Sequence, residues 1–389
     1  MAEVQHVLFI THKTSGAPAR YRVQALGTGL RALGVEVSLA HPDSATLLDN
    51  LLSASHVILF RAWATPNLLE SLAKAQKRNP DLIVGFDVDD PLWVKFDTQT
   101  EEELRNTEAM QTLMHGCDFM LGSTRELATR GGHFANMASF HTPNPIHPAC
   151  LKASRKAHKV PRLPGSTRIA FQSGSGTHNK HWEIAEKAVL DYLQSDAKST
   201  LFMYGITPWN ENLEEFRHRI IQVPFMDWND LPHWINQMDL VIAPVAGERW
   251  GRDTKSAIKW LEAALVRTPT LASATEPFRS AISDGIDGFV SEDSQWETNL
   301  DRALNKNIRK NVGSSAYEKA LGRFSAINSA QTLLNGIQNI APRRRFIGLE
   351  GPLGEQKTID EDLTLEPLRE KERLPRSLQV KLFLNSYRG

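Results

Sequence analysis

Short apolar runs alternate with amphipathic helical patterns along most of this chain. The first half contains six such runs, rich in Val, Ile, Leu and Phe: HVLFI, VEVSLA, HVILFRA, LIVGFDV, FMLGS and ASFHTPN. Helical patterns such as RYRVQALGTGLRALG separate them. Buried strands that alternate with helices are typical of a parallel sheet covered by helices on both faces.

The second half repeats this organisation with RIAFQS, STLFMYG, RIIQVPF, DLVIAP, PTLASA and DGFVSE. We therefore predict an α/β protein with two Rossmann-like, doubly wound domains, at residues 1–150 and 165–340. The stretch between them is rich in proline and basic residues, which predicts a hinge linker at residues 145–165 rather than a core element. Residues 341–389 are charged, interrupted by proline and weakly periodic, which predicts a C-terminal tail.

The composition narrows the classes of function. The 389 residues suffice for two domains, and the 45 Lys and Arg balance the 45 Asp and Glu. The net charge therefore gives no general attraction for nucleic acid, and any charge-based function must be local. Cys117 and Cys150 lack metal-like spacing and are predicted to be structural thiols in a reducing compartment. No apolar run is long enough for a signal peptide or a membrane span, so we expect a cytoplasmic protein.

Each predicted domain opens with a strand, a loop of small residues and a helix. The two stretches are VLFITHKTSGAPARYRVQAL and RIAFQSGSGTHNKHWEIAEKAV. Such a loop presents backbone N–H groups and a helix N-terminus to a phosphate group. The glycine fingerprint of dinucleotide enzymes is incomplete, because Asn179 stands where its third glycine is needed and the first loop has only Gly16 before its helix. An NAD enzyme is therefore disfavoured, and the chain contains no P-loop motif either.

The stretch RWGRDTKSAIKWLEAAL, residues 249–265, follows the apolar run DLVIAPVAG. We predict a helix that begins near Thr254, capped by Asp253 or Thr254. Lys255, Lys259 and Glu262 then share one face, beside an apolar stripe formed by Ile258, Leu261 and Leu265. The helix follows a buried strand, so its start lies at the carboxyl edge of the sheet, where a diphosphate would be bound. The alternative is an exposed helix whose charges merely pair with one another.

Three stretches together resemble the group 1 glycosyltransferases with the GT-B fold. They are SGAPARYRVQALGTGLRALGVEV, GSGTHNKHWE and the segment that runs from DLVIAPVAGERWGRDTKSAIKWLEAALVRTPTLAS to DGIDGFV. The resemblance spans about residues 5–335. It implies two facing Rossmann-like domains, the C-terminal one holding a nucleotide-diphosphate sugar and the N-terminal one taking the acceptor. It also implies transfer with retention of configuration, no bound metal and no cofactor besides the sugar nucleotide.

The resemblance also assigns residues on the donor side. Glu262 corresponds to the second glutamate of the paired motif of the family, which typically holds the nucleotide ribose. Lys180 resembles the basic residue that meets the diphosphate, and together with Lys255 and Glu262 it forms the predicted catalytic set. The first glutamate of the motif is Thr254 here, and Asp253 or Glu248 are its candidate substitutes. The predicted donor-binding set is Gly16, Ser173, Gly174, Ser175, Thr177, His178, Asp253, Thr254, Ser256 and Lys259.

The acceptor side is predicted in the N-terminal domain. Arg22 follows the first glycine loop, and FDVDDPLW places Asp87, Asp89 and Asp90 at a strand end. These aspartates are interpreted either as caps of the following turn or as acceptor ligands, with a metal site the weakest reading, so no metal site is predicted. The acceptor classes left open are cell-envelope glycans, lipid-linked saccharides, small metabolites and modified nucleobases.

The sequence therefore predicts a glycosyltransferase that uses a nucleotide-sugar donor. The alternatives are a nucleotide-sugar epimerase and a non-catalytic nucleotide-sugar-binding protein of the same fold, which the missing first glutamate keeps open. In the tail, Arg343, Arg344 and Arg345 either contact a membrane surface or are simply solvated.

Overall fold

The computed structural model describes residues 4–174 and 179–349, and its framework is two parallel six-stranded sheets. The first sheet has the order β2-β1-β3-β4-β5-β6 and the second has the order β12-β11-β10-β7-β8-β9. The strands are β1 His6–Ile10, β2 Glu36–Ala40, β3 His56–Phe60, β4 Ile83–Val88, β5 Phe119–Gly122, β6 Ala138–His141, β7 Arg168–Ser173, β8 Thr200–Gly205, β9 Ile220–Val223, β10 Leu240–Ala243, β11 Thr270–Ser273 and β12 Phe289–Ser291. Every predicted run forms one of these strands, so the predicted α/β fold class is confirmed.

Helices connect the strands and cover both sheets. They are α1 Gly16–Ala19, α2 Leu26–Ala32, α3 Leu47–Ser53, α4 Pro66–Arg78, α5 Glu101–Gly116, α6 Arg125–Ala135, α7 Pro148–His158, α8 Asn179–Ser195, α9 Glu211–Glu215, α10 Leu231–Asn236, α11 Arg249–Asp253, α12 Ile258–Ala264, α13 Glu276–Ala281, α14 Trp296–Leu304, α15 Lys306–Arg323 and α16 Ala326–Ile337. A π-helical turn, Arg20–Ala25, separates α1 from α2. No helix among the described residues is long and apolar enough to cross a membrane.

Both faces of each sheet are buried, which explains the near-continuous apolar runs. Along β1, Leu8 packs in the core layer that also contains Val57 and Phe86. The neighbouring residues Val7 and Phe9 point to the opposite face and join a second layer. This alternation follows from the two-residue period of a strand. In each sheet the first strand of the domain lies inside the order, at the place where the winding direction changes, and ligands of open α/β sheets bind beside that place.

The predicted linker contains a core element. Helix α7 occupies residues 148–158, and Cys150, Ala153 and Ala157 of this helix are buried. Ala157 packs in the core of the C-terminal domain, and Asn236 Nδ2 donates a hydrogen bond to its carbonyl at 3.0 Å. The basic residues that indicated a linker lie on the other face of the helix, in solvent. The prediction that this stretch lies outside the core was therefore wrong for α7.

The last described helix, α16, differs from the predicted domain assignment. Residues 165–340 were assigned to the C-terminal domain, but Ala330 and Leu333 pack in the core of the N-terminal domain. Gly29 of α2 allows the approach, because a Cβ there would lie 2.0 Å from the carbonyl oxygen of Ala326. The chain therefore crosses between the domains twice. The sequence could not predict the second crossing, because an apolar helix face does not specify which sheet it covers.

The predicted tail begins as a packed segment. Phe346 is fully buried in the N-terminal core, and its backbone N–H donates to Gln76 Oε1 at 3.1 Å. The backbone N–H of Arg343 donates to Asp118 Oδ1 at 2.6 Å, and Arg344 Nε donates to the carbonyl of Pro80 at 3.0 Å. Residues 350–389 lie outside the described residues. Part of the predicted basic tail cluster is thus tied to the protein surface.

Candidate functional site

The charged segment after β10 is built differently from the prediction. Helix α11 ends at Asp253, and α12 begins only at Ile258, with Ala257 as an N-cap that makes no side-chain hydrogen bond. The proposed caps are engaged elsewhere. Thr254 Oγ1 donates to the carbonyl of Gly251 at 2.7 Å, and Asp253 Oδ1 accepts the backbone N–H of Glu276 at 2.9 Å. The prediction of one continuous helix from Thr254 was therefore wrong.

Two of the three predicted charged residues remain together on α12. Lys259 and Glu262 lie at positions three apart, and Leu261 on the adjoining side of the helix is buried in an apolar cluster. The ammonium of Lys259 lies 5.8 Å from the ring centroid of Phe171. Burial lowers the pKa of Lys259 to about 8, with the Lys255 charge acting in the same direction and Glu262 opposing. The ammonium of such a lysine is poorly solvated, so it attracts an anionic ligand that enters the site.

Lys255 lies in the break between α11 and α12 and reaches across the cleft to the N-terminal domain. Its Nζ lies 3.0 Å from Asp90 Oδ1, and both side chains are partly exposed, at 37% and 36%. Arg61 at the end of β3 binds the same carboxylate at 2.8 Å through Asp90 Oδ2, and its Nε donates to Asp89. We call Arg61, Asp89, Asp90 and Lys255 the cross-cleft charge cluster. It joins a predicted donor residue to two predicted acceptor residues.

Glu262 is also contacted by the N-terminal domain. The hydroxyl of Tyr21 donates to Glu262 Oε1 at 2.7 Å. Burial raises the pKa of Glu262, while the Tyr21 hydrogen bond and the charges of Arg20 and Lys259 oppose that rise. The guanidinium of Arg20 lies 5.0 Å from the ring centroid of Trp228 in the C-terminal domain. The start of α12 and the π-helical turn therefore form opposite walls of one site.

Other contacts close the cleft around this site. Asn144 Nδ2 donates to Ser256 Oγ at 3.1 Å, so this predicted donor residue is bound at the hinge. Phe96 stacks on Trp250 of α11 with ring centroids 6.3 Å apart. These pairs come from loops at the carboxyl edges of the two sheets, so the two edges face one another.

Arg22 and Asp87 do not line the cleft, contrary to their predicted acceptor role. Both side chains are 0% exposed, and Arg22 binds Asp87 with two hydrogen bonds of 2.7 and 3.0 Å. Arg22 also donates to the carbonyl of Thr142 at the end of β6. A substrate has no access to a fully buried ion pair. The pair instead joins the π-helical turn to β4 and β6.

The glycine-containing loop of the C-terminal domain is described only at its edges. Ser173 is buried at the end of β7, and Gly174 is exposed. Lys180 is exposed in the first turn of α8, close to the end of β7 in the chain. His181 Nδ1 accepts the backbone N–H of Ala246, which fastens the loop after β10 to α8 at 2.9 Å. The predicted donor residues Ser175, Thr177 and His178 lie outside the described residues.

Gly16 occupies the position predicted for backbone approach to the donor. Its φ of 90° is left-handed, a conformation that residues with a side chain rarely adopt. A Cβ there would meet only the Cδ of Pro18, at 3.8 Å. The glycine is therefore required by the turn that starts α1, and its surroundings leave the backbone open to a ligand.

Among the residues described, no group of three or more His, Cys, Asp or Glu side chains has metal-binding geometry. The aspartates of FDVDDPLW are instead engaged by arginines: Asp87 by Arg22, and the other two by Arg61. Cys117 and Cys150 are both free and buried, as expected for thiols that are part of the core.

Comparison with known proteins assigns the domain that carries α12. Residues 167–308 match the model of the family described as glycosyl transferases group 1. This segment is similar to the group 1 glycosyltransferases. The segment contains Lys180, Lys255, Lys259 and Glu262, so two of the three stretches that carry the sequence resemblance lie within the match, and the stretch at residues 15–37 lies outside it. No curated protein sequence matches the chain significantly.

Solved structures extend the fold assignment to both domains. HepE of Anabaena, in complex with UDP, has a TM-score of 0.58 at 13% identity and covers 86% of this chain and 100% of its own. A glycosyltransferase of Rickettsia africae has a TM-score of 0.56 at 12% identity, covering 85% and 97%. Sucrose-phosphate synthase of Thermosynechococcus elongatus has a TM-score of 0.55 at 12% identity, covering 85% and 98%. At such identities the likeness establishes the GT-B fold.

The sequence reasoning missed residues of the N-terminal wall. Tyr21, Arg61 and Asn144 each contact the C-terminal domain or a residue that does, and none was predicted. Arg61 gave one signal, since it is a charged residue directly after a buried strand, and the structure gives it a φ of 46°. Tyr21 gave no sequence signal of a site residue, because an aromatic residue in a helical pattern is usually a core residue.

Proposed function

We propose that this protein moves a sugar from a nucleotide-diphosphate sugar to an acceptor, with retention of configuration and without a metal ion. The observation that carries the proposal is the placement of Lys255, Lys259 and Glu262 of the glycosyltransferase domain at the carboxyl edge of their sheet, facing the second domain. HepE, which shares the fold, has been solved with UDP and with UDP-glucose, and this supports a sugar nucleotide as donor.

The chemistry of the transfer suggests that the basic residues stabilise the leaving group. Transfer releases a nucleoside diphosphate, so negative charge develops on the phosphates in the transition state. Lys255 and Lys259, with Lys180 at the start of α8, stabilise that charge, and the loss of one such donor typically costs about 3–4 kcal/mol of barrier. Glu262 accepts hydrogen bonds from the ribose hydroxyls. These assignments need no metal ion, because the cations neutralise the diphosphate directly.

The acceptor is proposed to bind beside the exposed part of the cross-cleft charge cluster. Asp89 and Asp90 are carboxylates that accept hydrogen bonds from hydroxyl groups, and Arg61 holds them in place. A hydroxyl-bearing acceptor therefore fits this wall better than an anionic one. Glycans, lipid-linked saccharides and small metabolites all present such hydroxyls, and a modified nucleobase presents one where its modification carries a hydroxyl group.

A turnover assay with a donor panel tests this proposal. Purified protein is incubated with UDP-, GDP- and ADP-sugars, with and without a panel of hydroxylated acceptors, and release of nucleoside diphosphate is measured. The proposal expects release that depends on an acceptor and survives EDTA. Donor isomerisation without an acceptor would establish an epimerase, and binding without turnover would establish a non-catalytic protein. Loss of turnover in EDTA with recovery in Mg²⁺ or Mn²⁺ would refute the metal-independent mechanism.

A further inference from the structure

Tyr21 lies in the N-terminal domain, yet its hydroxyl is bonded to the other domain. The ring is 7% exposed, and the hydroxyl donates to Glu262 Oε1 at 2.7 Å. The second oxygen of Glu262 forms no hydrogen bond within residues 4–174 and 179–349. One carboxylate oxygen is therefore fixed by the protein, and the other is left to accept a hydrogen bond from a ligand.

The backbone around Tyr21 is held in an unusual conformation. Residues 20–25 form a π-helical turn, a rare geometry that occurs frequently at functional sites. The next residue, Arg22, is locked into the N-terminal core by its bidentate bond to Asp87. Two successive side chains thus point in different directions, Arg22 inward and Tyr21 across the cleft. The turn cannot slide without breaking the buried ion pair, so the position of Tyr21 is fixed.

Arg20 supports the ring of Tyr21 from the other side. Its guanidinium lies 5.3 Å from the Tyr21 ring centroid and 5.0 Å from that of Trp228. The cation faces both the aromatic rings and the nearby carboxylate of Glu262. This arrangement favours an ionised Glu262 in a surrounding that otherwise disfavours charge.

We infer that Tyr21 is a positioning residue of the nucleotide-sugar site, which holds the carboxylate of Glu262 in the orientation that accepts hydrogen bonds from the donor ribose. The inference rests on the proposed function and assigns part of the donor site to the N-terminal domain. It makes donor binding depend on the approach of the two domains, because the carboxylate is oriented only when Tyr21 reaches it.

Nucleoside-diphosphate binding by the full chain tests the inference. Calorimetric titrations with UDP, GDP and ADP between pH 5 and pH 9 compare wild type, Tyr21→Phe and the matched control Tyr192→Phe, with thermal unfolding alongside. Tyr192 lies twelve residues beyond Lys180 on α8, about 18 Å along the helix axis. Tyr21→Phe is expected to weaken binding by about tenfold, as for a lost hydrogen bond to a charged group, and the control is expected to bind as wild type.

Two further readouts separate positioning from interdomain packing. Without the hydroxyl the pKa of Glu262 rises, so the loss of affinity on acidification should begin at a higher pH in Tyr21→Phe than in wild type. In a Glu262→Ala background the same substitution should change affinity less than twofold, because the carboxylate that Tyr21 orients is absent and no other acceptor replaces it.

The outcomes distinguish the inference from the proposed function. If Tyr21→Phe binds as wild type does, with the same pH profile, the inference is refuted and the proposed function stands. An equal loss in the Glu262→Ala background would also refute it, since the hydroxyl would then act elsewhere. If the wild type binds none of the three nucleotides, the proposed donor site is wrong, and the role of Tyr21 falls with it.

Discussion

Charged residues cluster at the carboxyl edges of both sheets, but the two clusters are built in opposite ways. In the N-terminal domain, Arg22 and Asp87 find each other within one domain and are completely buried. In the C-terminal domain, Lys255 and Glu262 are bonded across the cleft, to Asp90 and Tyr21 of the N-terminal domain. A buried ion pair whose two residues belong to one domain stabilises the fold of that domain. Charges whose partners lie across a cleft are instead placed where a ligand can enter, and for this reason we propose the second cluster as the functional one.

The largest effect is expected from breaking the buried pair. Arg22→Ala leaves Asp87 uncompensated in the core and should lower the free energy of unfolding by about 3–5 kcal/mol. Arg105→Ala is the matched control, since Arg105 pairs with Glu101 at 3.7 Å on the surface and is 69% exposed. Chemical denaturation of both variants measures the difference. Equal stabilities would contradict the view that the N-terminal charges are structural.

Substitutions on the apolar side of α12 should lower the stability of the fold, as for the buried ion pair, rather than affect ligand binding, as for the charged residues of the same helix. Leu261 is 3% exposed within an apolar cluster, so Leu261→Ala should cost about 2–5 kcal/mol of stability. Thermal and denaturant unfolding measure this loss. Once the protein is folded, nucleotide affinity should change little, and a variant of unchanged stability would show that the helix is not anchored at this position.

The charged side of the same segment should affect donor use instead. Lys255→Ala is expected to lower kcat/KM for the donor by about 2–4 kcal/mol in transition-state terms, with little loss of stability, because its ion pair is partly exposed. Lys187→Ala provides the control, since that side chain is 81% exposed on the surface of α8. Wild-type kinetics in Lys255→Ala would remove this residue from the donor site.

The smallest effect concerns pH. Burial lowers the pKa of Lys259 to about 8, so its positive charge is lost as the pH rises through that value. Nucleoside-diphosphate affinity should therefore fall on the alkaline side by about tenfold, the equivalent of 1.4 kcal/mol. A bound diphosphate raises the pKa of Lys259, so the fall should begin near pH 8, where the free protein loses the proton, and should end where Lys259 loses it in the complex. Calorimetry across pH 6–10 on wild type and Lys259→Met tests this, and an identical alkaline fall in the variant would assign it to another group.

The sequence by itself predicted the two sheets and the similarity of the C-terminal domain to the group 1 glycosyltransferases. Strands buried on both faces must be apolar throughout, so runs such as HVILF and DLVIAP were recognisable without any tertiary contact. Lys180, Lys255 and Glu262 could be proposed from the sequence because local motifs and helical spacing single them out, and their roles stay predictions. These features depend on the local order of apolar and polar residues, which can be read from the sequence alone.

Only the tertiary structure decided which charges face the cleft. Asp87 and Asp90 are three residues apart and look alike in sequence. Asp87 nevertheless forms a buried ion pair with Arg22, whereas Asp90 forms a partly exposed ion pair with Lys255. The break before α12 has the same origin, because Asp253 is used by the backbone of Glu276, which follows it by 23 residues. Tyr21 reaches Glu262 over a separation of 241 residues. Pairing over such distances is set by how the two domains pack, and no local pattern contains that information.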